Sequence, residues 1–179
     1  MKNSKFLQLG GVSAVLITIS LIVFSCNQDN AGEQKTEAPK EMTRTAINPE
    51  PNWGAAFMMH QAEVIENASR TVHFSGQVSI KADSTSEMGV SVVHADDMGM
   101  QMKYILENID ELLGMAGMDR SNVTHVNFYP TNMGDFLANY GVYAEWIAQG
   151  EVMPTQTAVQ VAGLVAPGLV IEIEIQAAE

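Results

Sequence analysis

Between residues 97 and 117 apolar side chains recur every three or four positions. Met98, Met102, Ile105, Ile109, Leu112, Leu113 and Ala116 form one stripe, which predicts a helix with a single buried face. Asp96 or Asp97 can cap its start and Gly117 can end it. A second stripe, Phe136, Tyr140, Tyr143, Ala144 and Ile147, predicts another helix, capped by Asn132 with Asp135 three residues on and stopped at Gly150. Residues 123–129 alternate instead, with Val123, His125, Asn127 and Tyr129 set against Thr124, Val126 and Phe128. This predicts a two-faced strand that Pro130 ends. Residues 62–65 and 71–75 read as strands joined by a polar hairpin connection, 66–70. Gly76 marks a bulge or a close backbone approach before strand 77–80, and 81–89 is a polar loop. Residues 159–161 and 169–175, linked through Ala166-Pro167-Gly168, supply the last strands. Two helices cover one face of such a sheet, so the other face must be covered elsewhere, which predicts an oligomer.

The chain has 179 residues, 46% of them hydrophobic, enough for one domain with a real core. Its net charge of -12 argues against nucleic acid, because from Ala46 onward only Arg70, Lys81, Lys103 and Arg120 are basic among many acids. Lys2 and Lys5 precede an uncharged, largely apolar stretch, residues 6–24, that ends in Val23-Phe24-Ser25-Cys26. This is an export pattern. Cys26, the single cysteine, sits where a bacterial lipobox places a lipidated cysteine, so residues 1–26 are expected to be a lipoprotein signal peptide. The alternative is an uncleaved signal anchor, because residues 6–24 as a helix would span roughly 28 Å against a hydrocarbon core of roughly 30 Å. Either way the expectation is a membrane-anchored, extracytoplasmic domain whose only membrane contact is this N-terminal anchor, with residues 27–45 as a flexible polar spacer and 46–179 as the folded unit.

Phe74-Ser75-Gly76-Gln77-Val78, the spacing of Asp97, Gln101, Leu106, Asn108 and Ile109, then Ala116-Gly117, Asp135-Phe136, Tyr143, Pro154 and Ile171-Glu172-Ile173-Glu174 together resemble the RidA/YjgF/YER057c/UK114 superfamily. The resemblance implies an α+β, chorismate-mutase-like fold: a mixed six-stranded sheet with two helices on one face, assembled as a homotrimer with intersubunit ligand clefts. It also implies an enamine/imine deaminase ancestry. In those deaminases an arginine two residues after the cleft proline grips the substrate carboxylate, and a glutamate on the last strand positions the attacking water. Glu172 stands at the glutamate and Pro154 at the proline, but Gln156 replaces the arginine and Ala158 a nearby cysteine. An aromatic position near the first strand falls at about Met59, and an asparagine of the second helix falls at Tyr140, next to Asn139. Ser75 and Gly76 complete the expected cleft.

The substitution at Gln156 carries the chemical argument. A guanidinium–carboxylate pair combines charge with fixed geometry, and a hydrogen bond to a charged group contributes roughly 1.5–3 kcal/mol. A neutral amide in an acidic domain offers no such grip. The expected ligand is therefore a small neutral or weakly polar metabolite, bound without arginine-dependent deamination. A rival uses Glu172 to position water for residual imine or enamine hydrolysis, with Gln156 as a hydrogen-bond donor. A further rival is a trimeric interaction or chaperone-like protein with a vestigial cleft. His73, Ser75 and His125 on strands suggest a histidine-assisted site, set against ordinary structural histidines. His60, His73, His94 and His125 show no close ligand pair, so neither a metal nor a cofactor is expected. The methionines Met98, Met100, Met102, Met115 and Met118 read as core filler rather than a redox device.

Overall fold

The computed structural model describes residues 40–179. The anchor, Cys26 and most of the spacer lie outside the described residues.

Both helices form where the stripes place them. The first, α1 (Met98–Met115), starts at Asp97, whose carboxylate accepts from the Met100 N–H at 3.0 Å. Met98, Met102, Ile105, Ile109 and Leu113 are buried along it. It ends because Gly117 takes φ +76°, so that the Met118 N–H can turn back to the Leu113 carbonyl. The second, α2 (Met133–Ala148), is capped by Asn132, which accepts from the Asp135 N–H at 3.1 Å. Gly150 follows it where a Cβ would run into the Arg120 backbone.

The main sheet contains β3 (Thr71–His73), β4 (Gln77–Val78), β7 (Val123–Pro130), β8 (Thr155–Ala158) and β9 (Ile171–Ala178). Its order is β3-β9-β7-β8, with β4 continuing along the same side of β9. Only β7 and β8 run parallel, joined by α2, so the sheet is mixed as expected. Strand β9 alternates cleanly: Ile171, Ile173 and Ile175 are buried under the helices, and Glu172, Glu174 and Gln176 are half-buried on the other face. In β7 a register shift between Val123 and His125 breaks the simple alternation. It turns Val123 into the core, while His125, Asn127 and Tyr129 keep to the open face.

Several sequence expectations are corrected. Residues 62–65 and 71–75 do not form a hairpin with each other. Strand β2 (Ala62–Glu66) pairs with β1 (Thr43–Ile47), whereas β3 pairs with β9. Strand β1 begins inside the stretch assigned to the spacer, and there Arg44 binds Glu63 through two hydrogen bonds of 2.7 and 2.9 Å and reaches the Ser121 and Val123 carbonyls. The main sheet has five strands rather than six. Residues that looked like one strand at 77–80 are shared between β4 and β5 (Ile80–Ala82), and β5 pairs with β6 (Val90–Val92) across the polar loop. Finally, β8 comes before residues 159–161, because the parallel ladder to β7 runs from Thr155 to Ala158.

Candidate functional site

On the helix side of the sheet, β8 sets Gln156 beside Val126 of β7, two residues after the buried Pro154. A 3-10 turn, Trp53–Phe57, ends on Met58 with φ +53°. That left-handed residue brings the Phe57 and Met58 carbonyls to the Gln156 amide, which donates to them at 3.2 and 3.1 Å. Two carbonyls facing one amide fix its orientation: the nitrogen must lie between them, so Oε1 points to Tyr140. The Tyr140 hydroxyl lies 2.6 Å from Gln156 Oε1 and 2.6 Å from the Phe57 carbonyl, with a single proton to serve both acceptors. Burial pushes the Tyr140 phenol up to about 12, opposed by its hydrogen bond to Gln156. Tyr140 therefore stays neutral near pH 7. Asn139 does not compete for this role, because its amide binds back to the Asp135 carbonyl.

These groups form one end of a cavity of about 170 Å³. Its remaining lining is apolar: Trp53, Phe57, Met59, Phe128, Met133, Phe136, Leu137 and Ala158. The Phe57, Phe128 and Phe136 rings meet Tyr140 edge-on, at centroid distances of 6.2, 6.3 and 5.6 Å. No lysine, arginine or histidine lines this cavity. Gln156 has no amide hydrogen left to offer, which removes it as the hydrogen-bond donor of the hydrolytic rival.

The open face of the sheet carries the other expected residues. Glu172 stands opposite Tyr129 in the β7–β9 ladder, and its carboxylate accepts no hydrogen bond from the described residues. It fills the space where a Cβ on Gly76 would be, which is the close approach that glycine signalled. Glu174, two residues on, is engaged: it accepts from Tyr129 at 3.0 Å and from Asn127 at 3.3 Å. Burial, then the hydrogen bond to Glu174, raises the Tyr129 phenol. His125 continues this row, with one ring nitrogen 2.9 Å from Asn127 Oδ1 and the other 2.7 Å from Thr155 Oγ1. Both nitrogens are occupied, and Ser75 is exposed without a side-chain bond to either His73 or His125. The structure thus assembles no histidine–serine pair. Among the described residues no three His, Cys, Asp or Glu side chains are grouped to hold a metal.

Glu172 is positioned from behind by a buried residue. Gln101 of α1 donates to the His94 and Gly168 carbonyls at 3.0 and 2.7 Å and accepts from the Val170 N–H at 2.9 Å. It is fully buried, and it fixes the entry into β9 just ahead of Glu172.

The chain therefore brings together Gly76 with Glu172, and Tyr140 with Gln156 near Pro154, but sets the two groups on opposite faces of one sheet. Trp53 and Phe57, the outer walls of the cavity, were not among the candidate site residues read from sequence, although Pro51-Asn52-Trp53 resembles a segment of family members that lack the arginine. Their signal was two bulky aromatics in a short segment with no strand or long-helix pattern to bury them; they are 55% and 42% exposed.

The family described as Endoribonuclease L-PSP matches residues 56–179. The 3-aminoacrylate deaminase RutC of Acinetobacter baylyi is 38% identical over 82 residues, a match spanning 46% of this chain and 63% of that relative, somewhat less than two-thirds of its length. The mitochondrial protein mmf1 of Schizosaccharomyces pombe is 30% identical over 140 residues, covering 78% of this chain and 79% of its own. Among solved structures, YyfB of Yersinia pestis, a Rid-family protein of unknown function, superposes with a TM-score of 0.62 at 27% identity, over 76% of this chain and 98% of that one. Escherichia coli TdcF with bound serine gives a TM-score of 0.51 at 25% identity, over 62% and 82%.

Proposed function

Because the chain belongs to the Endoribonuclease L-PSP family of the Rid superfamily, we propose that it binds a small neutral or weakly polar metabolite and does not carry out arginine-dependent deamination of enamine acids. One observation carries this reading: the residue at the arginine position spends both amide hydrogens on backbone carbonyls, inside an apolar cavity with no cation. A carboxylate placed there would lose its hydration and meet no countercharge. Ammonia release from 2-aminoacrylate-type substrates tests it; the expected result is no release above buffer, and turnover would overturn the reading.

The working unit in this proposal is a homotrimer. Gly76–Glu172 and Tyr140–Gln156 lie on opposite faces of one sheet, so a cleft containing both draws one half from each of two copies. Light scattering is expected to give three copies of the chain, and a monomer would contradict the intersubunit cleft. The localisation follows the sequence pattern: lipidation at Cys26, a spacer ending near residue 42, and a domain held outside the cytoplasm. Cys26→Ala is expected to release a cleaved protein from membranes, whereas a signal anchor would stay bound.

A second reading is favoured by the free Glu172 carboxylate and by the relation to RutC, whose name records 3-aminoacrylate deamination. In it Glu172 positions a water for imine or enamine hydrolysis, with a partner other than Gln156 orienting the substrate. Any ammonia-releasing activity is then expected to vanish in Glu172→Gln.

A further inference from the structure

Five methionines in and just after α1 read as core filler in the sequence, and the structure divides them. Met98, Met102 and Met118 are buried, whereas Met100 and Met115 are 42% and 79% exposed. Met88, in the loop before β6, is 63% exposed. None of these three belongs to the core. Met100 and Met115 stand in solvent on α1 together with Lys103, Glu107 and Glu111, where no packing calls for a thioether. The cavity has methionines of its own. Met59 and Met133 line it, half-buried, and a sulfoxide oxygen on either would place a polar group in an apolar wall.

From residue 40 onward the chain contains no cysteine, so thioethers are its only sulfur nucleophiles. Their reactivity toward a hydroperoxide follows their access to solvent. The sulfur lone pair attacks one peroxide oxygen, the O–O bond breaks and an S–O bond forms. The departing oxygen takes the hydroxyl proton and leaves as water, so the sulfur is oxidised by two electrons and the peroxide reduced by two. We propose that Met88, Met100 and Met115 are sites of reversible sulfoxidation, a sink that consumes hydroperoxides before they reach Met59 and Met133. Oxygen added at these exposed positions disturbs no core contact, and a sulfoxide at the surface is open to the reductases that restore the thioether. The sink operates whatever occupies the cavity, and a second copy laid over the cleft would only bury Met59 and Met133 further.

The purified full-length chain is treated with limiting hydrogen peroxide, and sulfoxide is located by peptide mass spectrometry. Oxygen is expected first at Met115, then at Met88 and Met100, with Met59 and Met133 lagging and the buried Met98, Met102 and Met118 untouched. The denaturation midpoint is expected to stay in place while the three exposed sites are converted. In a triple variant, Met88→Leu with Met100→Leu and Met115→Leu, sulfoxide at Met59 and Met133 is expected to rise several-fold. Unmodified Met98, Met102 and Met118 in the same digest report that the variant is folded. Sulfoxide at Met59 or Met133 as early as at Met115 would overturn the order of attack, and an unchanged yield there in the triple variant would overturn the shielding. A midpoint that falls on oxidation of the exposed sites alone would make them structural and remove the sink.

Discussion

Gln156 and Glu172 lie on opposite faces of one sheet, and the fold treats them in opposite ways. The amide of Gln156 is consumed by the chain: its hydrogens go to Phe57 and Met58 and its oxygen to Tyr140. The carboxylate of Glu172 accepts no hydrogen bond from the described residues, although Glu174, two residues along the same strand face, is engaged by Tyr129 and Asn127. The contrast separates polar groups that hold a structure from those free to act on something else. A half-buried carboxylate without a partner is what a binding or catalytic task requires, whereas a saturated amide is part of a wall. On the helix side the fold closes a polar group into a wall, and on the open face it leaves one accessible.

Mutations can break this contrast, and the largest effect is expected on the helix side. Phe128→Ala removes a ring packed against Phe136, Tyr140 and Tyr143 and should cost about 3–5 kcal/mol in a denaturant titration. Glu172→Gln on the open face should change stability by less than about 0.5 kcal/mol. A comparable loss would mean that Glu172 is structural after all. Gln156→Leu leaves the Met58 carbonyl without its donor and the Phe57 carbonyl with Tyr140 alone, an expected cost of about 1–3 kcal/mol.

Gly76→Ala forces the Glu172 side chain out of its place. An off-rotamer displacement costs about 0.5–1.5 kcal/mol, and the cost should disappear in a Glu172→Ala background, which a double-mutant cycle measures. Independent effects at the two positions would show that the close approach does not constrain the carboxylate.

The Tyr140 phenol gives a test by pH. Its pKa is raised in the folded chain, to about 12, from about 10 in an unfolded one. Its stabilising contribution is complete below about pH 10 and is lost as pH rises toward about 12. Thermal melts of Tyr140→Phe should fall less steeply across that window than those of the parent. Tyr143→Phe is expected to differ in sign from the other core changes. The Tyr143 hydroxyl is buried with no hydrogen-bond partner, so its removal should be neutral or stabilising by up to about 1 kcal/mol. A clear loss in melting temperature would reveal a partner for that hydroxyl.

The helices were legible in the sequence because both are specified locally, by caps at Asp97 and Asn132 and stripes of buried residues. Strands β7 and β9 were legible for the same reason, since alternation marks a half-covered face. The pairing of β2 was not, because its partner β1 lies on the far side of the Trp53–Phe57 turn and no spacing rule selects it over the adjacent β3. Strand β8 was misplaced because Thr155–Ala158 has little apolar alternation and owes its position to the parallel ladder with β7. At the site, the identities of Gln156, Tyr140, Gly76 and Glu172 could be read from the chain. Their division between two faces depends on tertiary packing, and so does the closure of the Gln156 amide upon backbone carbonyls.

Arg44 has a mechanical consequence. Composition made residues 27–45 look like a leash, yet Arg44 is pinned to Glu63 on one element and to the Ser121 and Val123 carbonyls on another. Tension arriving along the chain at Thr43 would meet this bracket within one residue. The load would pass through the guanidinium to the start of β7, at the end of the main sheet remote from Glu172. Arg44 thus acts as a strain relief that keeps a pull on the N-terminal side away from the Glu172 end of the sheet.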